Sequence, residues 1–297
     1  MSVFKDHKIS LKQVLEFVPE ALLSHLSATT KVDYYSKVLH GKKMFYLLLF
    51  CIFDNEKLSQ RTLEDTFNSS GFKALFGLGE EEKVRRSSIS ERLSKIDSHY
   101  FKEIYEQMYG RFSELYSKSE IEKYNLIRVD STIVADTCNK LKEGIDQKSG
   151  KKLVKFSFSF DGILPSGVEV FTAQKYSSEE SALPQAILKH TLKEVGHDNI
   201  YVIDRGLQST RTMKEFDEQS IKFIIRSKEN RKFEEIETYL DLENPLKWED
   251  WGLVKDSKVK LFTGKPILNK RGNIHHREEK VETEFRLVII KNEKTNK

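Results

Sequence analysis

The spacing of apolar residues changes near residue 120 and divides the chain into two kinds of structure. Before that point the intervals are helical. Leu11, Val14, Leu15 and Val18 share a face, and Pro19 interrupts or restarts that helix. Met44–Phe53 (MFYLLLFCIF) predicts a buried helix, too short to span a bilayer. Leu58–Phe67 predicts another, started by Ser59. Gly71, Gly77 and Gly79 punctuate the stretch beyond it. Ser88-Ile-Ser-Glu91 has the spacing of a capping box, with Ile89, Leu93, Ile96 and Tyr100 along one face after it.

After about residue 124 the pattern becomes that of strands. Asn125–Asp130 is the first. Lys155–Asp161 alternates strictly, with Phe156, Phe158 and Phe160 on one face. Gly167–Gln174 is the third. Glu180–Val195 predicts a helix with Pro184 in its first turn. Asn199–Asp204 is the fourth strand, Ser209–Gln219 a helix capped by Ser209, and Ile221–Ser227 the fifth strand. The order β-β-β-α-β-α-β predicts an α/β (α+β) fold: a mixed five-stranded sheet with flanking helices. Residues 229 to 283 break this rhythm with a charged stretch, Trp248 and Trp251, and short strand-like pieces such as Val259–Phe262. Asn269–Asn273 resembles a hairpin tip, and Phe285–Lys291 is a last clear strand. The expected domains are a helical region over 1–120 and a core over 121–297, with a β-rich insertion at about 229–283.

Composition narrows the function only a little. Of 297 residues, 50 are basic and 46 acidic, for a net charge of +4. That balance suits a nucleic-acid partner without demanding one. The two cysteines, Cys51 and Cys138, make neither a disulfide framework nor zinc spacing, which fits a reducing cytoplasm. The polar N-terminus has no signal peptide, and no membrane partner is expected.

The chemistry lies in Leu126–Thr132 (LIRVDST) and Ile200–Leu207 (IYVIDRGL). Each is a β-prone run that ends in an aspartate, Asp130 or Asp204. Carboxylates at the rim of a sheet can hold divalent ions over a phosphodiester. Each aspartate can equally cap a turn. In this strand order the first and fourth strands are expected to be neighbours, which would set the two acids side by side.

VDST at Val129–Thr132, IDRGL at Ile203–Leu207 and the later KFIIRSK resemble the acid motifs of the Asp-Asp-Glu transposases of bacterial insertion sequences, in the group called insertion-sequence family four. The resemblance implies an RNase H-like core related to retroviral integrases. It implies Asp130 and Asp204 as catalytic metal ligands and two Mg2+ (or Mn2+) ions. It also implies double-stranded DNA partners, both inverted repeats and target, a homodimer on DNA, and a bacterial cytoplasmic, nucleoid-associated setting. The third acid of that family lies in a Tyr-x-x-Arg-x-x-x-Glu pattern. No tyrosine here is followed by arginine three residues on, so the chain is expected to be truncated before that glutamate. The alternative function is a non-catalytic fragment that occupies transposon ends and inhibits transposition.

The candidate DNA contacts are Arg85, Arg86, Arg92 and Lys95 around the helix start, Arg205 after the second acid, and Arg226, Lys228 and Arg231 after the fifth strand. A cationic helix start suits phosphate. A solvated charged face is the competing reading, and Arg205 can instead pair with a carboxylate. Trp248 and Trp251 can stack on a displaced base or pack within the insertion. An aspartate-nucleophile phosphatase is disfavoured, because Thr132 stands where its second aspartate would be.

Overall fold

The computed structural model describes residues 15, 17–54, 58–115, 124–135, 143–162, 164–194, 198–240, 247–248, 250–268, 274–292 and 294. Leu11, Val14, Cys138 and the hairpin tip expected at Asn269–Asn273 lie outside them. The chain forms two compact units, Met1–Tyr116 and Ser117–Lys297.

The first unit is helical: α1 (Glu20–Thr30), α2 (Gly41–Asp54), α3 (Gln60–Asn68), α4 (Ser70–Phe76), α5 (Arg86–Lys95) and α6 (Ser98–Leu115). Met44, Leu47 and Cys51 of α2 are fully buried against Leu63, Phe67 and Phe72. Ser59 caps α3, its hydroxyl accepting from Thr62 N at 3.1 Å. Among the described residues no helix is long and apolar enough to cross a membrane.

The start of α5 differs from the expected capping box. Arg85 is the N-cap, so Ser88 is already in the first turn. The cause is tertiary. The Asn68 side chain accepts from Val84 N at 3.0 Å and donates to Val84 O at 2.8 Å. The chain is pinned there and turns into the helix directly after it. Glu91 then pairs along the helix with Lys95 at 2.6 Å instead of reaching back.

The second unit holds β1 (Leu126–Ala135), β2 (Ile145–Asp146), β3 (Lys152–Asp161), β4 (Leu164–Phe171), α7 (Glu179–Lys193), β5 (Ile200–Ile203), α8 (Thr210–Glu218), β6 (Lys222–Ile225), β7 (Phe233–Thr238), β8 (Lys247–Trp248), β9 (Trp251–Leu268) and β10 (Ile274–Asn292). The main sheet is ordered β2-β3-β1-β5-β6, with β4 on β3. It has six strands rather than five, the extra one being the two-residue β2. β1, β3 and β4 are antiparallel neighbours, whereas β1, β5 and β6 run parallel. This is the order expected of an RNase H-like sheet. Pro184 falls in the second turn of α7, not the first.

Leu183 and Ile187 of α7 pack on Ile127, Val129, Tyr201 and Ile203. Each such buried side chain contributes about 1.5–3 kcal/mol. On β3 the fully buried positions are polar, because Lys155, Ser157 and Ser159 point toward α7. Lys155 Nζ donates to Ser177 O and pairs with Glu179 Oε1, each at 3.0 Å. The Ser157 and Ser131 hydroxyls are 2.6 Å apart. Phe156, Phe158 and Phe160 lie half-buried on the opposite face.

The segment expected as a β-rich insertion is a second sheet, β10-β9-β7 with β8 on β9. Phe285–Lys291 belongs to it as part of β10, so the last clear strand is one arm of a long hairpin. Charges alternate with apolar residues along this hairpin and mask it in the sequence. Lys260 pairs with Glu282 at 2.6 Å, Lys258 with Glu284 at 3.1 Å, and Arg286 binds Asp256 through two bonds. The latter holds the Asp256 carboxyl below its ordinary range. Met213 of α8 joins Val259 and Leu261 to seat the sheet on the core.

His190 ties three elements together. Its Nε2 lies 3.1 Å from Ser166 Oγ and its Nδ1 3.1 Å from Tyr201 OH. A neutral imidazole satisfies this arrangement in either tautomer. Burial pushes the His190 pKa below its ordinary 6.5, against the opposing pull of Glu194, Asp161 and Glu169. The unfolded chain therefore takes up the proton first as pH falls through that value, and stability drops. Denaturation midpoints should decrease between pH 7.5 and 5.5, and His190→Gln should flatten that slope. An unchanged slope in the variant would assign it to other groups.

Candidate functional site

Parallel pairing of β1 and β5 sets Val129 opposite Ile203, and Ile203 in turn opposite Ile225. Asp130, Asp204 and Arg226 are thus the next residues along three neighbouring segments, but β1 does not end at its acid as expected: it runs on to Ala135, paired with β3, whereas β5 and β6 stop just before Asp204 and Arg226. Ile127 and Val129 are buried while Asp130 is exposed, so strand alternation drives the hydrophobes into the core and the acid out. Asp204 is also exposed, one residue beyond the end of β5. Neither carboxylate forms an ion pair among the described residues. Each accepts one local backbone bond: Ser131 N to Asp130 Oδ1 at 2.8 Å, and Gly206 N to Asp204 Oδ1 at 2.7 Å. Turn-capping and an open carboxylate edge are therefore both realised, because among the described residues the second oxygen of each acid has no donor. A side chain at position 206 would crowd Asp204 Oδ1 at 3.0 Å and the Glu179 side chain at 3.3 Å, which explains the glycine.

The loop that carries Asp204 is fastened from three directions. Glu180, at the start of α7, accepts from Gln208 N at 2.6 Å and Ser209 N at 3.1 Å. The Gln208 amide donates to Arg226 O at 3.0 Å and accepts from Lys228 N at 3.3 Å. Arg231 donates to Gln208 O. Ser209 then caps α8 by accepting from Thr212 N at 3.2 Å.

A family model for the transposase DDE domain matches residues 122–292, more than half of the chain. The chain belongs to the DDE transposase domain family. No curated protein sequence matches it. Among solved structures, this DDE domain chain is similar to the piggyBac transposase in its synaptic complex with hairpin DNA. That likeness has TM-score 0.34 and 13% identity over 88% of this chain and 58% of the other. The chain thus spans under two thirds of that protein. The Mos1 transposase in a paired-end complex with the left transposon end gives TM-score 0.25 and 10% identity, over 73% and 78% of the two chains. Likenesses of this size carry no residue-level correspondence.

Within the DDE domain, Arg205, Arg226 and Lys228 are exposed near the acid loop. Arg231 differs. Its guanidinium is bonded to Gln208 O and, at 3.2 Å, to Met213 Sδ, so it braces the loop instead of facing solvent. In the helical unit, Arg85 and Arg86 are exposed, and Lys95 is exposed but paired with Glu91. Arg92 is enclosed, its side chain 11% exposed, with Nη2 donating to Val32 O at 2.7 Å and 3.7 Å from Asp33. Burial for a structural contact keeps Arg92 from serving as an open phosphate contact. Glu234, Glu235 and Glu237 are tied to lysines across the second sheet. Trp251 is 41% exposed, so it is not packed away in the insertion.

Glu180 and Gln208 were missed by sequence reasoning. Their bond spans 28 positions and has no local signature. Replacing Glu180 with Ala should leave two loop N–H groups without acceptors and speed hydrogen exchange at Gln208 and Ser209 by about fivefold, matching the roughly 1 kcal/mol net value of a hydrogen bond. Unchanged exchange at both amides would show that the loop is held by other means.

Proposed function

We propose that this chain is an insertion-sequence transposase in which Asp130 and Asp204 hold the divalent metal used to cut and join DNA. One observation carries the reading: the β1–β5 register, which leaves Asp130, midway along β1, and Asp204, one residue past the end of β5, at neighbouring positions on adjacent strands, neither in an ion pair among the described residues. Two exposed carboxylates are a hard-oxygen donor set that fits Mg2+ or Mn2+, whose remaining sites are filled by water and substrate phosphate. Ions bound there would activate the attacking oxygen and stabilise the leaving one. The protein's own part is to hold Asp204 in place through Glu180 and Gln208, and to offer Arg205, Arg226 and Lys228 to phosphate oxygens. The family-four assignment, end recognition, a homodimer on DNA and a bacterial nucleoid setting belong to the same proposal, supported by the sequence motifs.

A second reading has its own support. Among the described residues no group of three or more His, Cys, Asp or Glu side chains is placed to hold a metal. The family's Tyr-x-x-Arg-x-x-x-Glu pattern is also missing from the sequence. A two-acid site holds metal weakly, and a protein relying on it would bind transposon ends, block them and join them poorly.

Titration with Mn2+, followed by electron paramagnetic resonance, tests the site directly. The unaltered chain should bind the ion, and Asp130→Asn and Asp204→Asn should each weaken binding at least about tenfold, each removing a charged ligand. Both variants should retain DNA binding that weakens steeply as salt rises. Binding of Mn2+ that ignores both substitutions would remove the metal assignment.

A further inference from the structure

The helical unit carries a second surface suited to nucleic acid. Tyr34 and Tyr35 are 69% and 92% exposed, at the tip of the loop between α1 and α2. Their rings meet edge to face with centroids 4.2 Å apart. The base of this loop is fixed. Val32 and Leu39 are buried, Asp33 accepts from Gly41 N, and Arg92 holds Val32 O. Tyr34 N and Ser36 N close turns onto Lys31 O at 3.0 Å and Asp33 O at 2.9 Å. Tyr35 itself is held at φ 68°, in the left-handed region that non-glycine residues enter at a cost. A rigid base therefore supports two aromatic rings that face water. Exposed aromatics in such a setting mark contact surfaces.

The loop and α5 enclose a groove of about 680 Å³, lined among others by Tyr34, Tyr35, Lys31, Lys37 and Lys83. Its charges are unevenly matched. Of the acids beside it, Glu91 is paired with Lys95, Asp33 is bonded to Gly41 N, and Asp97 accepts from His99 N at 2.8 Å. Lys31, Lys37 and Lys83 are exposed and form no ion pair among the described residues. Aromatic faces bordered by unmatched lysines fit one ligand chemistry: a base that has left its stack, with phosphates on either side.

We propose that this groove receives an unpaired DNA strand, with a base against Tyr34 and Tyr35 and its phosphates on Lys31, Lys37 and Lys83. The inference rests on the reading of the chain as DNA-binding, and it adds a preference for unpaired over duplex DNA. Bases of any sequence should serve, because stacking uses the ring face and not the base edge.

The test uses the whole chain with three fluorescent oligonucleotides: a blunt duplex, the same duplex with a short single-stranded overhang, and the overhang carrying 2-aminopurine. The unaltered protein should bind the overhang about tenfold or more tightly than the blunt duplex and quench the 2-aminopurine. Tyr34→Ala with Tyr35→Ala should remove both effects and leave blunt-duplex affinity intact. Both rings are exposed, so the variant should keep its helical circular dichroism. Lys31→Gln with Lys37→Gln should weaken overhang binding and lower its salt dependence. Equal overhang affinity and quenching in the tyrosine variant would overturn the groove while sparing the DNA-binding reading. Failure of the unaltered chain to bind any of the three would overturn both.

Discussion

Parallel hydrogen bonding between Leu126–Val129 and Ile200–Ile203 is the constraint on which the second unit depends. It joins segments more than seventy residues apart, and it exists because both carry apolar residues that α7 covers on one side. Leu183 and Ile187 supply that cover. Because side chains alternate along β1, driving Ile127 and Val129 inward obliges Asp130 to face outward. The same pairing brings β5 to its end at the neighbouring position, where Asp204 begins the turn. The placement of the acids is thus a by-product of core packing.

The face of β3 under α7 is filled in an unusual way. A lysine and two serines occupy the most deeply buried positions. Lys155 is matched by Glu179 and the Ser177 carbonyl, and Ser157 by Ser131. Removing one partner of such a set leaves the other desolvated and unmet, which costs more than the set contributes when complete. Glu179 and Glu180 are successive residues at the first turn of α7, where the free N–H groups favour negative charge. One engages the buried lysine and the other the Asp204 loop. The start of a single helix therefore couples the sheet interior to the rim.

Much of this arrangement is legible in the amino-acid order, and the limits are physical. Ser59 and Ser209 are readable as caps because a cap needs only a bond to a neighbour three residues on. Ser88 has the same local pattern and is displaced from the cap by Asn68, whose grip on Val84 is a tertiary fact. The strands bearing Asp130 and Asp204 stand out because apolar runs lead into each acid. The hairpin of β9 and β10 does not, because its lysines and glutamates are satisfied across strands and resemble solvated loop when read along one strand. Phe156, Phe158 and Phe160 show alternation but not which side α7 will cover, because that side is set by Ile127, Val129, Tyr201 and Ile203 on the neighbouring strands.

The length of β10 has a consequence for the molecule's behaviour in solution. Nineteen residues at about 3.4 Å each make an arm of roughly 60 Å, and among the described residues β9 is the one strand hydrogen-bonded to it. A border that long offers unpaired amides and carbonyls to any other extended chain. Glu278, Glu279, Lys280, Glu282, Glu284 and Arg286 line most of it with exposed charge, whereas Val288, Ile289 and Ile290 end it with exposed apolar surface. Charge that discourages pairing with another strand is therefore concentrated between Glu278 and Arg286, and Val288–Ile290 is the least guarded part of the border.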